Sequence, residues 1–251
     1  MSLQVRRIAW AITGAGHYLK ESIDMIRRLV SEYDVSVTAY VSRAGRSVLK
    51  MYRLDSELEQ ILTGRRGCEV VYEDEEPPSF PRAGRVYLGR YAIVVVSPTT
   101  FNTLAKIASG IADTLVTNLV SHALKARVPV ALVVPDLECP LESTVPLAIL
   151  VDECEKCDQV CKAAEACPRD ALYVGPDKLP HIDYSKCDYC GACVSACPRG
   201  AIRKNYRVTV YPHPLLANIV ERVRSIGIAV FPNLEQLWNS LLYRLVQSLP
   251  R

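Results

Sequence analysis

Eight of the ten cysteines fall between Cys154 and Cys197, in two runs that each end in Cys-Pro. The second run reads CDYCGACVSACP, with the spacing C-x2-C-x2-C-x3-C-P, and the first reads CEKCDQVCKAAEACP, with C-x2-C-x3-C-x5-C-P. Four thiolates at such spacings are typical ligands of an iron–sulfur cluster. Zinc ribbons usually supply two separated C-x2-C pairs, and disulfide frameworks are typical of small secreted proteins. The two runs therefore predict iron–sulfur chemistry.

The two runs are interpreted together, because in the two-cluster arrangement the fourth cysteine of each run ligates the cluster of the other. We predict two [4Fe–4S] clusters, one held by Cys187, Cys190, Cys193 and Cys167 and one by Cys154, Cys157, Cys161 and Cys197. The three extra residues of the first run lie inside its loops, where added length costs little entropy. With all eight thiols present, the insert resembles the bacterial-type ferredoxins with two [4Fe–4S] clusters.

The stretch TGAGHYL at residues 13–19 indicates a second kind of chemistry, since it follows a predicted strand and opens a predicted helix. Backbone N–H groups in such a turn, together with the helix dipole, attract a phosphate. Ser42 follows the second predicted strand and would add a hydroxyl at the same edge of the sheet. The stretch lacks the full G-x-G-x-x-G pattern, so it does not support a Rossmann dinucleotide site.

The elements that must position these residues are apolar strands alternating with amphipathic helices. Strands are predicted at 5–14, 35–42, 68–75, 91–98 and 128–135, and helices at 18–33, 45–63 and 102–126. Strands that are apolar on both faces and alternate with helices predict an α/β fold with a parallel sheet covered on each side. After the cysteine-rich stretch the pattern resumes, with strands at 207–212 and 228–232 and helices at 215–227 and 234–249.

The change from alternating strands and helices to a cysteine-rich stretch, and back again, predicts the domain organisation. Residues 1–138 form the first part of an α/β domain, residues 139–205 form the cysteine-rich insert, and residues 206–251 complete the α/β domain. We prefer one interrupted domain to three pieces in series, because the last segment is too short to hold a core alone.

The stretch SPTTFNTLAKIASGIADTL at residues 97–115 resembles the signature of the FMN-binding, cysteine-decarboxylase-like flavoproteins. The resemblance implies a flavodoxin-like, doubly wound parallel sheet, FMN as cofactor, and assembly into homo-oligomers based on trimers. It implies that Gly14, Ala15, Gly16 and Ser42 bind the FMN phosphate, that Ser97, Pro98, Thr99, Thr100 and Thr103 line the rest of the flavin, and that Asn102 lies at its reactive face as the catalytic residue.

Two departures separate the chain from the decarboxylases of that group. No histidine stands in RVYLGRYA at residues 85–92, and no Pro-x-Met-Asn motif follows. Iron–sulfur clusters would also be idle in a redox-neutral decarboxylase. The combination resembles the archaeal flavoproteins related to dihydromethanopterin reductase (acceptor), which implies an oxidoreductase that reduces a pterin-like acceptor with electrons from a ferredoxin or another redox protein. The alternatives are an electron carrier without its own substrate and a flavin-dependent lyase or prenyltransferase.

Bulk properties exclude other classes of protein. The net charge of +3 and the scattered basic residues argue against a nucleic-acid partner. No charge-free apolar stretch approaches the length of a membrane span. The N-terminal residues lack a secretory pattern, so we expect a cytoplasmic protein.

Overall fold

The computed structural model describes residues 7–33, 35–155, 157 and 160–248. The chain divides into two compact units. The first comprises residues 1–49, 53–141 and 210–251, and the second comprises residues 50–52 and 142–209. The longer segment of the second unit, residues 142–209, overlaps the insert predicted at 139–205, and residues 50–52 join this unit from elsewhere in the sequence.

Parallel strands form the sheet of the first unit, as the apolar runs predict. Its strands are β1 (Arg7–Ile12), β2 (Ser36–Val41), β3 (Glu69–Tyr72), β4 (Ile93–Val96), β5 (Val130–Val133) and β10 (Ala229–Phe231). Within the described residues these six strands have the order β10-β5-β4-β1-β2-β3, and each pair is parallel. The chain leaves β1 toward β2 and β3 and returns on the other side of β1 as β4. The gap between β1 and β4 is therefore the topological switch point, where α/β sheets bind ligands.

Helices cover both faces of this sheet. They are α1 (Leu19–Glu32), α2 (Arg43–Met51), α3 (Asp55–Leu62), α4 (Phe101–Ala108), α5 (Leu115–Lys125), α9 (Leu216–Ser225), α10 (Leu234–Leu237) and α11 (Tyr243–Ser248), with 3-10 turns at Glu73–Glu75, Ala83–Leu88 and Pro135–Glu138 and a π-helical stretch at Trp238–Leu242. On one face, Ala9 and Ala11 of β1 share a core with Leu104 of α4 and Leu119 of α5. On the other face, Trp10 is fully buried. Both faces of β1 are thus covered, which explains its continuous apolar sequence.

The predicted single helix at 102–126 is wrong, because the segment forms two helices. After α4, Gly110 has φ +71, a left-handed conformation that ends a helix and favours glycine. Thr114 then begins α5 with a reciprocal capping box to Thr117. Glycine and threonine thus interrupt an otherwise apolar helical pattern.

The second unit is built from short elements. They are β6 (Leu141–Ile149), α6 (Val151–Cys154), α7 (Lys162–Glu165), β7 (Leu172–Val174), β8 (Pro180–Ile182), α8 (Ala192–Ala196) and β9 (Ile202–Val210). Strand β6 pairs with β9, and β7 pairs with β8 as an antiparallel hairpin. The predicted strand at 207–212 therefore belongs mostly to the pairing of this unit and adds nothing to the large sheet.

A small apolar core lies at the centre of the second unit. It contains Leu147, Ala163, Leu172, Tyr189, Cys193 and Ile202, with other cysteines of both runs packed against it. Across the described part of the chain, no helix combines the length and the apolar character that a membrane crossing requires.

Candidate functional site

Three loops meet at the carboxyl edge of the sheet, at the switch point between β1 and β4. The Thr13 hydroxyl donates to the Pro98 carbonyl at 2.7 Å and accepts from the Thr100 backbone N–H at 2.9 Å. The Ser42 backbone N–H donates to the Ile12 carbonyl at 3.0 Å. The loops after β1, β2 and β4, which carry the residues predicted to bind flavin, are therefore held against one another.

Two glycines make this close approach possible. A Cβ atom on Gly14 would lie 2.8 Å from the Ala44 side chain, and one on Gly45 would lie 2.6 Å from the Ile12 carbonyl oxygen. The Ser42 hydroxyl accepts from the Gly45 backbone N–H at 2.9 Å and so begins α2. The structure brings the Gly14–Gly16 turn and Ser42 together into one cradle of backbone N–H groups and hydroxyls, a form suited to a phosphate.

A carboxylate lies beside the same helix end. The Arg43 backbone N–H at the start of α2 donates to Glu73 at 3.3 Å, and Arg46 of α2 pairs with Asp74 at 2.6 Å. Glu73 and Asp74 thus bind one side of α2. Ser42, which precedes α2, lies near the Gly14–Gly16 turn. Sequence reasoning missed the pairing of Glu73 and Asp74 with α2, because it joins segments about 30 residues apart.

The residues of the β4 loop take different positions. Ser97 and Thr99 have no exposed surface. The Ser97 hydroxyl lies 2.9 Å from the Ser22 hydroxyl of α1, and the Thr99 hydroxyl donates to the Val96 carbonyl at 2.8 Å. Both hydroxyls are thus used inside the protein, so these two side chains shape the loop. Pro98 is also buried and follows a cis peptide bond.

The start of α4 supplies the accessible part of this loop. The Thr100 side chain accepts from the Thr103 backbone N–H and caps α4. Asn102 is exposed on the first turn, and Thr103 is partly exposed. A ligand at this edge would therefore meet Thr100, Asn102 and Thr103 before Ser97 or Thr99.

Two ionisable side chains at this edge, those of Asp136 and His213, were missed by sequence reasoning. Asp136 follows β5, and burial raises its pKa above the usual aspartate value, while the nearby His17 and His213 act in the opposite direction. The His213 ring stacks on Phe101 of α4 at 4.1 Å between ring centroids. Asp136, His17 and His213 form a candidate acid–base group next to the first turn of α4. For Asp136, the only sequence signal was its place after an apolar strand.

In the second unit the eight clustered cysteines separate into two groups. Cys154, Cys157, Cys161 and Cys197 line one cavity. Cys167, Cys187, Cys190 and Cys193 line another. Each cavity thus combines the first three cysteines of one run with the fourth of the other, as the predicted ligand sets require.

Each cavity offers four thiols, a donor set that suits an iron–sulfur cluster. Among the described residues, no three His, Cys, Asp or Glu side chains converge closely enough to hold one metal ion.

A buried polar atom in the second cavity supports this fit. Tyr189 lines that cavity and is 5% exposed, yet its hydroxyl has no hydrogen-bond partner among the described residues. A buried donor without a partner costs free energy. A sulfur-rich group in the cavity would give this hydroxyl an acceptor.

The two fourth cysteines have matching surroundings. Burial alone would raise the pKa of the Cys167 thiol, but backbone N–H groups, among them that of Ala171 at 3.3 Å, outweigh it and lower that pKa. The same opposition of burial and backbone N–H groups lowers the pKa of Cys197. Such N–H groups favour thiolates and influence the potentials of iron–sulfur clusters.

Comparisons with known proteins give two separate family matches. Residues 1–145 match the flavoprotein family, and residues 180–203, which contain Cys187, Cys190, Cys193 and Cys197, match the 4Fe–4S binding domain. Since the first match covers more than half of its length, the chain belongs to the flavoprotein family.

Its relatives narrow the class further. The chain is 44% identical over 171 residues to dihydromethanopterin reductase (acceptor) of Methanosarcina mazei, covering 68% of this chain and 71% of the relative. It is 43% identical over 168 residues to the protein of the same name from Methanocaldococcus jannaschii, covering 66% of this chain and 67% of the relative. The protein is thus an oxidoreductase similar to dihydromethanopterin reductase (acceptor), a flavoprotein with a 4Fe–4S binding domain.

Among solved structures, DmrB of Burkholderia xenovorans shares the fold. It is 23% identical, each chain covers 98% of the other, and the TM-score is 0.61. That protein was crystallised with FMN and is described as a cubic protein cage for redox transfer.

Proposed function

We propose that the protein is an FMN-dependent iron–sulfur oxidoreductase that reduces a pterin-like acceptor such as dihydromethanopterin. A ferredoxin-type donor supplies two electrons one at a time through two [4Fe–4S] clusters, and the acceptor takes up two electrons and two protons. Bound FMN would connect the one-electron supply to the two-electron reduction of the acceptor, because flavin accepts single electrons and delivers a hydride equivalent.

The grouping of the cysteines carries this proposal. Two separate sets of four thiols lie in one chain with a flavoprotein domain, and a redox-neutral enzyme would have no use for them. The 44% identity to dihydromethanopterin reductase (acceptor) supports the class of acceptor. A second candidate function is not favoured by any contact or cavity in the described part of the chain.

The residues of the chain have distinct roles in this proposal. The Gly14–Gly16 turn and Ser42 hold the FMN phosphate, and Thr100, Asn102 and Thr103 contact the flavin from the start of α4. Asn102 is the proposed catalytic residue. Ser97, Pro98 and Thr99 position these groups from within the buried loop.

We also propose that the chain assembles into a homo-oligomer based on trimers. Tyr87 and Leu88, which are 51% and 65% exposed, lie on the 3-10 turn beside α5, and Leu124 of α5 is 36% exposed. Adjacent exposed apolar side chains such as those of Tyr87 and Leu88 would suit a subunit contact. The cage described for DmrB is consistent with such an assembly.

The experiment that tests the proposed function is an anaerobic redox titration followed by absorbance and EPR. We expect about eight irons and about one FMN per chain, with cluster signals that disappear and flavin that is bleached on reduction. The fully reduced protein should then convert a dihydropterin to its tetrahydro form. Absence of flavin absorbance together with far fewer than about four irons per chain would contradict the proposal, and electron delivery to a partner protein but to no pterin would favour a carrier.

A further inference from the structure

The mouth of the cavity lined by Cys154, Cys157, Cys161 and Cys197 is basic. Lys162, Lys178 and Arg199 line it together with Val160 and Pro180, and these five residues are here called the basic face. Lys162 begins α7, Lys178 lies in the turn between β7 and β8, and Arg199 follows Cys-Pro of the second run. Three separate segments thus bring positive charge to one opening.

The three charges are not neutralised within the described part of the chain. Lys162, Lys178 and Arg199 are exposed, and their side chains make no ion pair or hydrogen bond with a described residue. The carboxylate beside Lys178, Asp177, is already bound to His181 at 2.8 Å. The exposed acidic residues on α6 and α7 do not line the cavity. Among the described residues, the opening therefore carries three positive charges without an acidic partner.

Apolar residues lie beside these charges. Val160 is 72% exposed, and Val174, which pairs with Pro180 in the hairpin, is 47% exposed. Protein–protein contacts combine exposed apolar residues with polar and charged ones.

The mouth of the other cysteine cavity differs. Arg169 and Asp188 line it, but they pair with each other at 3.0 Å, and Asp188 also accepts from the Cys190 backbone N–H at 3.1 Å. The charges of Arg169 and Asp188 at this mouth thus neutralise each other. Of the two cavities, the one at the basic face is suited to an external charged partner.

We propose that the basic face is the docking surface for an acidic electron-carrier protein, which delivers electrons to the cluster of Cys154, Cys157, Cys161 and Cys197. This inference rests on the proposed function and specifies where its donor binds. In each encounter one electron leaves the reduced carrier and enters that cluster, so two encounters supply the two electrons of one acceptor. Complementary charge speeds such encounters, and added salt weakens them.

Zero-length carbodiimide cross-linking tests the docking directly, because it joins a lysine amine to a carboxylate in contact with it. The holoprotein and an acidic 2[4Fe–4S] ferredoxin are cross-linked without oxygen at low salt, and the linked peptides are identified by mass spectrometry. We expect links from Lys162 and Lys178 to ferredoxin carboxylates, which disappear in Lys162→Gln and Lys178→Gln. Links only to lysines elsewhere, or only between copies of this chain, would overturn the proposal.

Electron transfer from the reduced ferredoxin provides the second readout. Lys178→Glu lies outside both cysteine runs, and we expect it to lower the second-order rate of cluster reduction about five-fold at low salt and to flatten the salt dependence. Arg222→Glu, on α9 of the other unit, changes the net charge equally and should have no effect. Iron content, cluster potentials and photochemical reduction by deazaflavin should stay unchanged in both variants.

The outcomes distinguish docking of a carrier from a purely local effect of the lysines on the cluster. An unchanged ferredoxin rate in Lys178→Glu overturns the proposal, and so does a shifted cluster potential with normal cross-linking, because the lysines would then only balance the cluster's own charge. If docking is as expected but the reduced protein converts no pterin, the proposed function fails and the docking surface remains.

Discussion

At the scale of single residues, the buried Tyr189 hydroxyl is notable because a polar group without a hydrogen-bond partner destabilises the fold. It is buried in the cavity of Cys167, Cys187, Cys190 and Cys193 and has no partner among the described residues. Removing such a group costs nothing in the protein without its cluster, where it is unsatisfied. In the protein with its cluster, the hydroxyl would stabilise the more negative, reduced state.

Tyr189→Phe should therefore lower the potential of one cluster. A hydrogen bond worth about 1 kcal/mol to the reduced state corresponds to about 40 mV for one electron. The shift is measured by EPR-monitored titration, and the thermal stability of the protein without its clusters should rise or stay equal. Tyr173→Phe, with a side chain that is 51% exposed, is the control. An unchanged potential would mean that the hydroxyl does not face the cluster.

Asp136 shows what residue types alone do not reveal. A single aspartate after an apolar strand is an ordinary feature of sequence, and its burial and its two histidine neighbours depend on segments more than 70 residues away. The cysteines are different, because spacing within each run already restricts which thiols can surround one centre. Their grouping could be predicted, whereas the environment of Asp136 required the folded chain.

At the scale of elements, the contact of α2 with the end of β1 determines the shape of the phosphate cradle. Gly45 of α2 lies against the Ile12 carbonyl so closely that a Cβ atom there would be 2.6 Å away. The atom it would meet belongs to the backbone of a buried strand, which cannot move without moving the sheet.

Gly45→Ala should destabilise the protein although alanine is the better helix former. Relief of the clash costs about 1 to 3 kcal/mol, more than the helix preference returns. We expect a lower melting temperature and weaker retention of FMN, measured by thermal unfolding and by flavin content after gel filtration. Gly84→Ala is the matched control, since no atom lies within 4 Å of a Cβ there. Equal effects of the two substitutions would contradict the assigned contact.

Whether a segment forms a strand or a helix was predicted more accurately than where it ends or which strand it pairs with. Apolar runs indicated the parallel strands because burial on both faces is a local property of sequence. The division of 102–126 into two helices depends on Gly110, whose left-handed conformation ends α4 although the apolar spacing continues. The pairing of β9 with β6 joins residues about 60 positions apart, and strand propensity does not specify such a partner.

At the scale of the whole molecule, the crossed ligand sets make a distinguishing prediction. Cys167→Ala should abolish the same EPR signal as Cys193→Ala, although Cys167 belongs to the other run, with a loss of about four irons per chain. Cys197→Ala should correspondingly match Cys154→Ala. Cys68→Ala, outside the insert, should retain both signals. Loss of the same signal in Cys167→Ala and in Cys154→Ala would show instead that each run holds its own cluster.

The crossed arrangement also has a consequence for how the protein acquires its iron. Since each set takes its fourth thiol from the other run, formation of one cluster holds the two runs together and fixes the ends of the loops that the second cluster must close. Closing a loop whose ends are already fixed costs less entropy. Loading should therefore be cooperative, so that chains with a single cluster are rare during reconstitution with limiting iron, and maturation of the two centres is effectively one event.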